Sequence, residues 1–258
     1  MLDISPTERF SSRVGKYAKC RPSYPQEVVQ ILERECGLTR DSVVADVASG
    51  TGMFTRLLLE NGNRVYGVEP NEAMRKAGEE YLASYPKFTS VGGTAENTTL
   101  AGWSVDLVTA AQAAHWFDRE RALEEFRRIL KPGGVLVLIW NDRRTDAAAF
   151  DRAYERLLEI YGTDYAEVKR RDQLSTQFFG AIPHQRRTVG NHQDFDYASL
   201  EGRLLSSSYT PQMGHPAHEP MLAELRQIFD QHQQEGLVRM EYDTNLYFGK
   251  ALNQNTVV

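Results

Sequence analysis

The seven residues Asp46-Val47-Ala48-Ser49-Gly50-Thr51-Gly52 place a carboxylate just ahead of two closely spaced glycines. Glycines let a backbone turn sharply and approach a ligand closely. A helix that starts beyond them offers unpaired N–H groups. A second carboxylate, Glu69, follows 23 residues after Asp46. An acidic residue there, at the end of the next strand, can accept both ribose hydroxyls of a nucleoside. Two ligand chemistries compete. Gly50-Thr51-Gly52-Met53-Phe54-Thr55 is a dinucleotide fingerprint with Thr55 in place of its last glycine or alanine. Asp46 at the strand end would repel a pyrophosphate, and suits a ligand with a cationic end. The plain alternative is a tight strand-to-helix turn that binds nothing. The glycine loop and Glu69 standing in the right strand order weigh against it.

These residues need a scaffold, and the first half of the chain supplies one by alternation. Val43–Val47 reads as a strand, Phe54–Glu60 as a helix, Arg64–Glu69 as a strand, and 71–83 as a helix. Phe88–Val91 and Val105–Ala110 read as further strands. Arg119–Leu130 is a helix with Leu123, Phe126 and Leu130 on one face, stopped by Lys131-Pro132-Gly133-Gly134 ahead of a strand over Val135–Trp140. Alternation of this kind predicts a doubly wound, mostly parallel sheet with helices on both faces, its strands near-continuous apolar runs.

The second half changes character. Phe150, Tyr154, Leu157, Leu158 and Tyr161 follow helical spacing, as do Tyr197, Leu200, Leu204 and Leu205. Pro183–Val189 reads as a strand and Ser206–Pro220 as a proline-bearing loop. Leu222, Leu225, Ile228 and Phe229 form a helical stripe. Alternation from Val238 to Phe248 gives a long last strand. A helical insertion followed by two strands completes seven. No linker divides the chain, which reads as a single domain over 1–258: an N-terminal segment over the site (1–40), a ligand-binding core (41–142) and a cap with the last strands (143–258).

Composition narrows the function. Of 258 residues, 41% are hydrophobic and 25% charged, and the formal net charge is −5. That acidic balance argues against a dedicated nucleic-acid binder. Cys20 and Cys36 form no CxxC pair, so neither a zinc site nor a disulfide framework is indicated. His215-Pro216-Ala217-His218 has no third ligand, and no metal is expected. Arg127-Arg128 and Lys169-Arg170-Arg171 read as solvated helix faces. The longest apolar run, Val135–Trp140, is far too short to span a bilayer, and Met1–Phe10 carries no signal-peptide stretch. The expectation is a cytoplasmic protein without membrane attachment, monomer or homodimer.

The motifs, taken together, resemble the class I S-adenosylmethionine-dependent methyltransferases of the type 11 subgroup, a group similar to trans-aconitate and other small-molecule methyltransferases. Asp46–Gly52 resembles their first motif, and Glu69-Pro70-Asn71 with Met74 the acidic motif that holds the ribose. Gly93-Thr94-Ala95-Glu96 is similar to the turn lining the adenine. The segment from Asp106 through Gln112, His115 and Trp116 to Asp118 resembles the fourth-strand motif, and Leu130–Gly134 the turn before strand five. Tyr17-Ala-Lys-Cys-Arg21-Pro22-Ser-Tyr24-Pro25 resembles the N-terminal lead segment. The likeness spans Phe10 to Asn141. It implies a Rossmann-like seven-stranded sheet with the last strand antiparallel. Ala48 stands where the family more often has glycine, and alanine there is expected to need a negative φ.

The resemblance also implies a mechanism. S-adenosylmethionine gives up its methyl group by in-line displacement, leaving S-adenosylhomocysteine. Implied cofactor contacts are Tyr17, Arg21, Asp46, Ala48, Ser49, Gly50, Gly52, Glu69, Pro70, Met74, Ala95, Glu96 and Gln112. His115, Trp116 and Tyr209 are candidates for the acceptor, a small molecule, with His115 the candidate catalytic base. Each has a bland reading: His115 as a strand-end hydrogen bonder, Trp116 as core, Arg21 as a surface ion pair, Glu96 as a helix-start acid, Asp46 as a turn holder accepting backbone N–H bonds. A tRNA or rRNA methyltransferase of the same fold would need a basic face or aromatic platform, which the sequence lacks. A cofactor-binding protein without transfer, and a nucleotide-dependent dehydrogenase, are the remaining alternatives.

Overall fold

The computed structural model describes residues 21–167, 178–207 and 209–250. Tyr17, Cys20 and Lys169-Arg170-Arg171 lie outside them. The strands are β1 (Val43–Val47), β2 (Arg64–Val68), β3 (Phe88–Val91), β4 (Val105–Ala111), β5 (Leu130–Arg143), β6 (Gln185–Phe195) and β7 (Val238–Lys250). They form one sheet in the order β3-β2-β1-β4-β5-β7-β6. β1 to β5 pair in parallel, and β7 runs antiparallel to both β5 and β6. The last strand is therefore the reversed one, as the family resemblance implied.

The helices are α1 (Glu27–Cys36), α2 (Met53–Glu60), α3 (Glu72–Tyr81), α4 (Arg119–Ile129), α5 (Ala149–Tyr161), α6 (Tyr197–Leu205) and α7 (His218–His232). Period-two burial splits the sheet's side chains between two faces. On one face Val44, Leu107, Val137, Ile139 and Leu246 pack with Val28, Val29 and Leu32 of α1 and Phe54, Leu57 and Leu58 of α2. On the other, Ala45, Val47, Val108, Leu136 and Leu138 meet Ala122, Leu123, Phe126 and Ile129 of α4. A third cluster joins α5, α6 and α7 to Val238, Met240 and Tyr242 at the start of β7. This is the cap.

Three boundaries differ from the sequence reading. Lys131–Gly134 lies inside β5, which follows α4 directly and carries a register irregularity opposite Val105–Leu107. Proline and glycine signalled a turn there, and an irregular strand start accommodates them equally. β6 runs to Phe195, well past the expected Val189, because its polar residues pair along the whole length of β7. As an edge strand it keeps one side to solvent, so apolar alternation is weak there. Helix α7 begins at His218, inside the stretch expected to be loop. Among the described residues, no helix is long and apolar enough to cross a membrane.

Candidate cofactor and acceptor site

Strands β1 and β4 are neighbours, and the chain order reverses between them. Open α/β sheets hold ligands beyond the carboxyl ends of the strands at such a point. Asp46 sits near the end of β1, on the face that carries α2. It is 1% exposed, and both carboxylate oxygens are occupied. The Thr55 hydroxyl of α2 donates to Oδ2 at 2.6 Å, and the Thr109 hydroxyl of β4 donates to Oδ1 at 2.9 Å. The expected backbone N–H partners are replaced by two hydroxyls, because the carboxylate turns under the loop between helix and strand. Burial pushes the Asp46 carboxyl up to about 6, the charge of Glu69 adds to the rise, and the two threonines oppose it.

Beyond Asp46 the chain enters the left-handed region three times, at Ala48 (φ 56°), Gly50 (φ 58°) and Gly52 (φ 85°). The last is the N-cap of α2. The expectation of a negative φ at Ala48 is thus overturned. An L-residue there costs about 1–2 kcal/mol, and the strain is borne at the strand end that faces the crevice. Ser49 ties this loop to β2 through its N–H to the Val68 carbonyl at 3.1 Å. Gly52 also has no room for a side chain: a Cβ would lie 2.6 Å from Leu82 Cδ1.

Glu69 follows β2 and is 7% exposed. Its Oε2 accepts the Gly50 N–H at 2.9 Å and its Oε1 the Asn71 N–H at 2.8 Å. One carboxylate therefore clamps the glycine loop to the start of α3, and its orientation is fixed by the backbone on both sides. Burial raises its pKa, against the two N–H bonds and the charge of Arg75. Arg75 Nη1 donates to the Glu69 carbonyl at 3.1 Å. Asn71 caps α3 by accepting the Met74 N–H at 2.9 Å. Met74 is buried with its methyl end toward Gly50, while Pro70 is exposed.

The other wall comes from β4 and β5. Gln112, at φ 58°, is like Ala48 a non-glycine residue in the left-handed region. Its N–H donates to the Ile139 carbonyl at 2.8 Å and its side-chain amide to the Asn141 carbonyl at 3.2 Å. Asn141 Nδ2 in turn donates to the Ser23 carbonyl at 3.3 Å, and Asn191 Nδ2 donates to the same carbonyl at 2.7 Å. Tyr24 packs edge-on against Phe54 with ring centroids 5.0 Å apart. The chain just after Arg21 is thereby drawn from the strand ends to α2. His115 and Trp116 occupy a single 3-10 turn after β4, their rings 4.7 Å apart, and Trp116 is exposed.

Two expected residues stand in other company. Glu96 accepts the Asp118 N–H at 2.9 Å, where Asp118 is the N-cap of α4, and Ala95 beside it is buried. Tyr209 lies in the cap, 5.0 Å from the Tyr165 ring, and its carbonyl accepts the Thr163 N–H at 2.9 Å. His218 is buried against the Pro211 carbonyl, and His215 accepts the Ala217 N–H. Sequence reasoning missed Thr55, Thr109 and Asn141. Thr55 was legible only as a defect in a dinucleotide fingerprint, whereas its hydroxyl is what the buried carboxylate nine residues earlier, across the glycine loop, requires.

The strand order, the reversal between β1 and β4 and the glycine loop define a Rossmann-like α/β fold with its crevice at the strand ends. The profile of the methyltransferase domain matches residues 45–138. An uncharacterized methyltransferase of Mycobacterium tuberculosis is 38% identical over 176 residues, 68% of each chain. A probable S-adenosylmethionine-dependent methyltransferase of Saccharomyces cerevisiae is 31% identical over 124 residues, 46% of this chain and 42% of that one. Among solved structures, a protein of Anaeromyxobacter dehalogenans assigned as a type II methyltransferase superposes with a TM-score of 0.68 at 22% identity, covering 91% of this chain and 99% of that one. The chain belongs to the class I S-adenosylmethionine-dependent methyltransferases, in the type 11 subgroup.

Proposed function

We propose that the protein transfers a methyl group from S-adenosylmethionine to a small-molecule acceptor and releases S-adenosylhomocysteine. The observation that carries this reading is the pair of buried carboxylates, Asp46 and Glu69, held around a left-handed glycine loop. Such a crevice is anionic. It repels a pyrophosphate and favours a ligand with an ammonium and a sulfonium, so the residues present fit this cofactor better than a dinucleotide. The sulfonium supplies an already activated methyl group, and much of the chemistry is the cofactor's.

The chain's own task is to bind and orient. Glu69, held by two N–H donors, keeps lone pairs for the ribose hydroxyls. Ala48, Ser49, Gly50 and Gly52 bring backbone close to the ligand. Asp46 sets the potential at the amino end. Met74, with Pro70, Ala95 and Glu96, borders the adenine side. Gln112 shapes the wall toward the acceptor, and Tyr17 and Arg21 belong to the segment that leads into Ser23 and Tyr24. Orientation alone contributes roughly 7–11 kcal/mol in the best intramolecular cases. His115 serves as base only for an acceptor that arrives protonated, with Trp116 and Tyr209 as acceptor contacts. The net charge of −5 supports a small acceptor over a nucleic acid.

The test is a calorimetric titration with S-adenosylhomocysteine, with NAD and NADP in parallel. Micromolar binding to the first alone is expected. Binding to a dinucleotide instead, or to none of the three, overturns the proposal.

A further inference from the structure

The cap holds a cation that the cofactor site does not use. Arg203, on α6, is 7% exposed. Its Nη1 donates to the Ser207 hydroxyl at 3.0 Å, and its Nε is buried without a hydrogen-bond partner. Tyr242, Tyr154 and Tyr209 surround it, Tyr242 through a side-chain hydrogen bond, and among the described residues no carboxylate pairs with it. The neighbouring buried arginine is different. Arg143 pairs with Glu155 and donates to the Tyr165 hydroxyl at 3.0 Å. A buried charge without an ionic partner is costly, and a guanidinium fork with an open N–H is shaped for an oxyanion.

Position links this group to the strand ends. Tyr242 stands opposite Arg143 in the β5–β7 ladder. Arg143 is two residues beyond Asn141, whose carbonyl accepts from Gln112. The cation therefore neighbours the β7 residue that pairs with the end of β5, two positions beyond the Asn141 that Gln112 holds. Tyr209 and Tyr165, only half-buried, are its side toward solvent.

We propose that Arg203 is the anion-recognition residue of the acceptor pocket, binding a carboxylate or phosphate group of the methyl acceptor through the buried Nε–H that has no partner among the described residues. This rests on the methyltransferase reading of the strand-end site, and it adds the chemical class of the acceptor. Tyr154, Tyr209 and Tyr242 are the neighbours of the cation, and such aromatic side chains suit an anion carried on a flat or apolar body.

The probes are benzoate, phenyl phosphate and the neutral benzamide, titrated at matched ionic strength into wild-type protein, with and without saturating S-adenosylhomocysteine. One of the two anions is expected to bind at least tenfold more tightly than benzamide, and which one does so separates carboxylate from phosphate. Arg203→Met is expected to lose that preference. Arg203→Lys keeps the charge but not the fork, and is expected to weaken anion binding at least tenfold while S-adenosylhomocysteine affinity is unchanged. Should Arg203→Met fail to fold, the lysine variant decides. Equal binding of anions and benzamide by the wild type, or wild-type anion affinity in the folded variants, overturns the proposal and leaves Arg203 a tie within the cap. An Arg203-dependent anion site in a protein that ignores S-adenosylhomocysteine would instead refute the methyltransferase reading and spare the anion site.

Discussion

Asp46→Asn separates the electrostatic cost of the buried carboxylate from its value to the ligand. The carboxyl titrates at about 6 in the fold against an ordinary 3.8. A raised acid contributes stability that is fully present below the lower value and lost as pH climbs through the higher one. Ionising Asp46 in the free protein therefore costs about 3 kcal/mol by pH 7.5. Asparagine keeps the shape and removes the charge. Its amide cannot accept from both Thr55 and Thr109, and the mismatched hydroxyl costs about 1 kcal/mol. The net expectation at pH 7.5 is a gain of about 2 kcal/mol, or roughly 4–8 °C in Tm for a chain of this size. At pH 4 the wild-type carboxyl is protonated in the fold and, like the amide, offers one acceptor and one donor to the two threonines, so the two proteins melt close together. The difference in Tm is thus present at pH 7.5 and nearly absent at pH 4. S-adenosylhomocysteine affinity should fall at least tenfold at pH 7.5, since the ammonium loses a nearby negative charge. The assay is a pair of thermal melts at pH 4 and 7.5, with calorimetry at pH 7.5. The same Tm difference at both pH values would refute the buried-charge account.

Glu69→Gln should reduce S-adenosylhomocysteine affinity at least tenfold while lowering stability by about 1–2 kcal/mol, since Gln can accept from only one of the Gly50 and Asn71 N–H groups; calorimetry and a urea melt check the two effects. Ala48→Gly should relieve the strain at φ 56° and raise stability by about 0.5–1 kcal/mol after the extra freedom of the unfolded glycine is counted. A fall in Tm would mean that Ala48 is packed rather than strained. His115→Ala should damage turnover on an accepted substrate far more than it damages cofactor affinity, provided the acceptor carries a proton. Wild-type turnover on a phenol, thiol or amine would return His115 to a structural role.

Much of the fold was legible because period is written directly into the chain. The apolar runs at Val43–Val47 and Val135–Trp140, with helical stripes such as Leu123, Phe126 and Leu130 between them, specify buried parallel strands and covering helices. The glycine loop and Glu69 were legible because their types and spacing answer a local demand, a sharp turn followed by an acid at the next strand end. β6 was only half legible, since an edge strand is stabilised by its partner's backbone more than by its own apolar pattern. The left-handed φ at Ala48 was misread. Alanine carries no local signal for that region, and only the surrounding loop, pinned by Ser49 on β2 and Glu69 on Gly50, forces it there.

The sequence alone pointed to the alternating strands and helices of the sheet and to the two acids proposed for the cofactor, because each depends on residues near one another in the chain or on their period, while the reversed last strand followed from the family resemblance. Tertiary structure decided the rest. Thr109 reaches Asp46 across 63 positions, Asn141 reaches Ser23 across 118, and Arg203 meets no carboxylate among the described residues in a cap assembled from three helices and a strand. Which hydroxyl meets a buried carboxylate, and which side chains surround a buried cation, follows from how distant segments pack, and no local pattern encodes that.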